Sequence, residues 1–126
     1  GIVTLEYAIQ YLQVMHGHHH ASLRTPNTLR ALAALIDADL IQRTTGENLR
    51  KSYLFIRMLI DGLRMVRGNT KDLVLPPPDS DEFIFLARRV GYQTEDWQAG
   101  AKHLLSDIEQ HMKQNREFFE KMFGKV

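Results

Sequence analysis

The sequence predicts an all-α fold, an up-and-down bundle of four to five helices filling one domain over residues 1–126. Three observations predict it. Apolar residues recur at steps of three and four along almost the whole chain. Helix start and stop signals punctuate that period at short intervals. Only one stretch, Leu73–Leu75 ahead of Pro76, Pro77 and Pro78, has any strand or extended character.

The first helix carries Leu5, Ile9 and Leu12 on one face, with His16 in register, and stops at Gly17. Thr25-Pro26 restarts the chain, Thr as N-cap and Pro at the first helical position, where its missing N–H is not needed. Helix two then carries Leu29, Leu32, Ala33 and Ile36. Thr44 with Glu47 three residues on has the form of a capping box. Helix three follows to Arg67, with Leu49, Tyr53, Ile56, Ile60 and Leu63 in one stripe. Leu54, Phe55, Met58 and Leu59 widen it. A helix apolar on more than one side suits a central position. Gly68-Asn69 stops it. A short helix spans about Ser80–Val90 and ends at Gly91. Thr94 caps a long last helix whose seam is Trp97, Ala101, Leu104, Ile108, Met112, Phe119 and Met122.

Composition narrows the function classes. Net charge is +1, hydrophobic residues make up 44% and charged residues 25%, so no global charge argues for nucleic acid or an anionic membrane. Cysteine is absent, which removes disulfides and thiolate metal sites and suits the cytoplasm. No apolar run reaches the roughly 20 residues that span a bilayer. The chain opens on Gly1 inside a helical pattern, so it reads as a piece of a longer protein.

Four groups of residues carry candidate chemistry, each with a plainer reading beside it. His16, His18 and His20 alternate in a short loop and offer three imidazoles to zinc or nickel. A closed structural site wants four ligands, and alternate loop residues need not converge, so a solvated loop is the rival. Asp37-Ala38-Asp39 and Asp79-Ser80-Asp81 have the Asp-x-Asp form used to hold magnesium. One pair ends a helix and the other begins one, where acidic residues complement the helix dipole. Arg57, Asp61 and Arg64 share a face of helix three and permit ion pairs or contact with a phosphate. Glu109–Lys113 and Glu117–Lys121 read as helix support. No Gly-rich phosphate loop, nucleophile elbow or His-Glu-x-x-His is present, so the chain holds no self-sufficient catalytic set.

Two stretches resemble a known family. GIVTLEYAIQYLQVMHG with LRTPNTLRAL is similar to Gly-Gly-x-x-Asp-x-Glu-Phe, Gln-Tyr-Leu, His-Gly and Leu-Arg-x-x-Asn-Thr. These belong to the helical domain of glutamine synthetase adenylyltransferases and PII uridylyltransferases. Gly1, Glu6, Tyr7, Gln10, Tyr11, Leu12, His16, Gly17, Leu23, Arg24, Asn27 and Thr28 carry the likeness. SYLFIRMLIDGLRMVRGNTKDLVLP with LARRVGY is similar through Tyr53, Phe55, Arg57, Leu75, Pro76, Leu86, Ala87, Gly91 and Tyr92. Thr4 stands where the family has Asp, and Ile60, Asp61 and Gly62 replace Glu-His-Arg. These departures suggest a divergent branch in which Arg64, Arg67 and Asn69 form their own version of the site.

The resemblance implies a substrate-binding helical bundle, non-catalytic by itself, in a cytoplasmic bacterial enzyme of nitrogen regulation. It implies a catalytic nucleotidyltransferase domain before residue 1 that uses magnesium with ATP or UTP. It further implies an acceptor, glutamine synthetase or PII, held against this domain. Glu6, Gln10, Arg24, Asn27, Arg57 and Arg64 are the expected contact residues. A free-standing helical interaction or regulatory module and a small His-loop metal-binding bundle are the alternatives.

Overall fold

Helical periodicity becomes five α-helices in the computed structural model, which describes residues 2–67, 75–92 and 95–124. These are α1 (Ile2–His16), α2 (Thr28–Asp37), α3 (Arg43–Arg67), α4 (Asp81–Arg89) and α5 (Trp97–Phe123), with one 3₁₀ turn at Ala21–Leu23. The described residues contain no strand, so the fold is all-α. Leu73, Val74, Asn69 and Thr94 lie outside the described residues. Among the described residues, no helix is long and apolar enough to cross a membrane.

The chain divides into two compact units, residues 1–54 with 114–126, and residues 55–113. In the first unit the inner face of α1 brings Leu5, Ile9 and Leu12 to Leu23, to Leu32 and Leu35 of α2, and to Leu49 of α3. Tyr53, Phe118 and Met122 close over that core. In the second unit Leu59 and Leu63 of α3 meet Phe83 and Leu86 of α4 and Leu104 and Ile108 of α5. Burial of each such side chain is worth about 1.5–3 kcal/mol, which is why the period predicts these helices.

Several details differ from the sequence reading. Asn27, not Thr25, caps α2: its Oδ1 accepts from Arg30 N at 3.0 Å, while Thr25 Oγ1 accepts from Asn27 N at 3.2 Å. The helix therefore begins two residues later, past Pro26. Its buried face is Ala31, Leu32, Ala34, Leu35 and Ile36, and Ala33 is exposed. α3 has already begun at Arg43, so Thr44 is helical and cannot act as the cap. Trp97 is not a seam residue but is 52% exposed at the start of α5. Ile60 and Met112 are half-buried, whereas Ile56, Leu104 and Ile108 are buried as expected. Two polar residues sit in the interior: Ser52, and Asn115, whose amide atoms have no hydrogen-bond partner among the described residues.

Helix ends follow local chemistry. Ser80 Oγ accepts from Phe83 N at 3.2 Å and donates to Pro77 O at 2.6 Å, which fixes the start of α4. Gly91 ends it with φ +102°, a left-handed turn that lets Tyr92 N donate to Ala87 O at 2.8 Å.

Candidate functional site

The residues singled out by sequence fall in both units. Glu6, Gln10, Arg24 and Asn27 belong to the first, Arg57 and Arg64 to the second. Around the α1–α2 connection a set of polar contacts converges. Gln13 Nε2 donates to Leu23 O at 2.6 Å and to Thr25 O at 2.8 Å. Arg24 Nε donates to Gly17 O at 3.0 Å. Leu23 itself is buried in the core, and Asn27 caps the helix that follows. Tyr53 OH donates to Glu6 Oε1 at 3.5 Å, a weak tie between α3 and α1. Arg24 and Asn27 thus already have structural work, Glu6 has a loose partner, and Gln10 faces outward. Gln13 is the contributor that periodicity missed, because its partners lie ten and twelve residues away.

The histidines of this connection do not gather. His18 and His19 are exposed, and among the described residues no three His, Asp or Glu side chains are grouped to hold a metal ion. The acidic pairs have local explanations. Asp39 takes φ +57° just beyond α2, and Leu40 N then donates to Leu35 O at 3.0 Å, the same terminating turn that Gly91 makes. Asp81 stands in the first turn of α4.

On α3, Arg57, Asp61 and Arg64 are all exposed, and the ion pairs their spacing permits are not formed. Ordering two long side chains at the surface costs about what such a pair returns. Glu109–Lys113 and Glu117–Lys121 are likewise unpaired with each other. Arg67 of α3 instead pairs with Glu82 of α4. Elsewhere in the second unit, Tyr92 OH donates to Asp107 Oδ2, and the Tyr92 and His103 rings meet edge to face at 5.1 Å. Burial, with the Asp107 carboxylate beside it, raises the Tyr92 phenol well above its ordinary value and keeps it protonated. His111 stacks on Phe55 at 4.3 Å, and burial lowers its pKa against the opposing pull of Asp107.

The family model described as GlnD PII-uridylyltransferase matches residues 1–123. The chain belongs to that family. A bifunctional glutamine synthetase adenylyltransferase/adenylyl-removing enzyme of Corynebacterium glutamicum is 34% identical over 116 residues, 92% of this chain and 11% of that enzyme. The enzyme so named from Cutibacterium acnes is 36% identical over 110 residues, 83% of this chain and 11% of its own length. Its namesake from Mycobacterium tuberculosis is 36% identical over 88 residues, 70% of this chain and 9% of its own length. The chain therefore spans about a tenth of the curated relatives it matches. No solved structure matches it.

Several of the residues that resemble the GlnD PII-uridylyltransferase family have structural roles here. Gly17, Leu23, Arg24 and Asn27 build the α1–α2 connection. Gly91 and Tyr92 end α4 and tie it to α5. Gly62, which replaces a polar family residue, lies where a Cβ would stand 2.5 Å from Val90 Cγ1 and 3.3 Å from Leu86 Cδ1. Glycine at this position lets α4 approach α3.

Proposed function

We propose that this chain is the non-catalytic helical domain of a protein-modifying nucleotidyltransferase. It sits against a catalytic domain and positions the acceptor for adenylyl or uridylyl transfer. The names of the family and of its relatives supply that chemistry: glutamine synthetase as adenylyl acceptor, PII as uridylyl acceptor.

The observation that carries this reading is the outer face of α1. Tyr11, Val14 and Met15 follow one another at steps of three and one, and all are exposed, Val14 by 79%. α1 carries one acidic residue, Glu6, and no Lys or Arg. A helix that meets only water is polar on its outer side, whereas an apolar patch rimmed by polar groups suits a partner. With relatives about eight times as long, we assign that partner as the neighbouring catalytic domain. A free-standing module would share the face but not the likeness to long transferases.

Gln10 extends the same helix, with Glu6 one turn before it, and Arg24 and Asn27 brace the connection beyond. Arg57 and Arg64 are seven residues apart on α3, exposed and without a carboxylate partner among the described residues. They suit an acceptor carboxylate or a phosphate. Magnesium and ATP or UTP are assigned to the catalytic domain, and among the described residues no three His, Asp or Glu side chains are grouped to hold a metal ion. The setting is bacterial nitrogen regulation in the cytoplasm.

Transfer of radiolabelled nucleotide to glutamine synthetase or PII tests the reading. The isolated chain, given ATP or UTP with magnesium, transfers nothing. In the longer protein, Arg57→Ala with Arg64→Ala lowers transfer at least tenfold, about 1.4 kcal/mol, at a nearly unchanged Tm. Transfer by the isolated chain, or full activity in the double variant, opposes it.

A further inference from the structure

The second unit carries a surface that neither the family motifs nor the acceptor residues account for. Val66 of α3 and Phe85, Arg88 and Arg89 of α4 line an open hollow of about 350 Å³. Arg89 also borders a second hollow of about 520 Å³, whose walls include Asp61 and Met65. Phe85, Met65 and Trp97 are large apolar side chains left more than half exposed. The Arg88 guanidinium lies 4.4 Å from the centroid of the Trp97 ring. That contact orders the indole without neutralising the charge. Among the described residues, neither Arg88 nor Arg89 pairs with a carboxylate.

We propose that this α3–α4 face docks an acidic segment of a partner protein that carries an apolar anchor. The residue types are those enriched at the centres of protein interfaces, Trp, Phe, Met and Arg together. Charge complementarity supplies the sign of the partner: two uncompensated guanidinium groups stand at one end of an apolar shelf. Asp61 on the far wall confines the acidic stretch to the Arg88–Arg89 end. A free phosphate or nucleotide fits less well. Both arginines occupy the last turn of α4, at the negative end of the helix dipole. The walls between them, Val66 and Phe85, offer no hydrogen bond to one. The plainer role for the arginines is to offset that same dipole, and it leaves the exposed Phe85 and Trp97 unexplained. This inference concerns the second unit and does not rest on the transferase reading.

Trp97 is the only tryptophan of the chain, so its emission reports on this face. The full chain is titrated with a synthetic dodecapeptide alternating Asp or Glu with Leu or Phe, followed by Trp97 fluorescence and by calorimetry. Saturable binding is expected, with a blue-shifted emission and an affinity that falls as salt rises. Arg88→Ala with Arg89→Ala weakens it at least tenfold by calorimetry, which does not depend on the altered indole, and Phe85→Ser does the same. Circular dichroism of both variants stays native, because these side chains are exposed. An all-acidic peptide without apolar residues, inorganic phosphate and ATP should not saturate. Equal binding of phosphate or ATP would make this an anion site. Equal binding of a Lys-containing analogue, no binding at all, or full affinity in the variants would overturn the proposal.

Discussion

Gly62 and Val90 are in direct opposition across the α3–α4 contact: a Cβ on Gly62 would stand 2.5 Å from Val90 Cγ1. Val is stiff at χ1 and cannot swing aside freely. Gly62→Ala therefore forces α4 outward, despite the better helix propensity of Ala. We expect a net loss of about 1–3 kcal/mol by urea denaturation. Val90→Ala in the same chain should restore part of it, because it removes the colliding methyl groups. Additive losses in the double variant would show that the two residues do not oppose each other.

Gln13 is predicted to hold the α1–α2 connection. Its Nε2 serves two backbone carbonyls, and removing it leaves both without that donor. Gln13→Ala should cost about 1–3 kcal/mol and speed hydrogen exchange at residues 18–25. Exchange unchanged there would mean that the carbonyls find other donors without cost.

His111 sets a pH dependence. Its pKa in the folded protein lies below its ordinary value of 6.5, mainly through burial. Above pH 6.5 it is neutral in both states and contributes no slope. As pH falls below 6.5 the unfolded chain takes up the proton first, so stability declines until the folded-state pKa is passed. His111→Phe preserves a ring against Phe55 without the titration. Its stability should fall less than that of the parent between pH 7 and 5, measured by thermal melts. Parallel curves would contradict the assigned direction.

Helix identity was legible because burial follows the 3.6-residue period, as Leu5–Ile9–Leu12 and Leu104–Ile108 illustrate. Helix ends were legible where one residue decides them, as Ser80 and Gly91 do. They were not legible where neighbouring residues compete, and Asn27 displaced Thr25 as the cap. Trp97 fits the apolar period, yet Arg88 of another helix holds it at the surface. Ser52 and Asn115 are polar and would be assigned outward, and only tertiary structure buries them. The family motif residues stood out in the sequence, but their work is largely architectural. Gly62 read as the loss of a polar family residue, and its role became visible only with Val90 beside it. The exposed face of α1 was hidden by the same period that predicts its core: a helix apolar on two sides does not say which side is free.

If this chain completes a transferase by seating against a catalytic domain through the outer face of α1, that face must stay apolar. Val14→Glu, measured in both contexts, tests it most directly. Val14 is 79% exposed, so in the isolated chain the substitution should move stability by no more than about 0.5 kcal/mol. In the longer protein it places a charge in an apolar interface, and nucleotide transfer should fall at least tenfold while each part still melts at its own temperature. Transfer undiminished in the longer protein, with Val14→Glu folded in both, would contradict the claim.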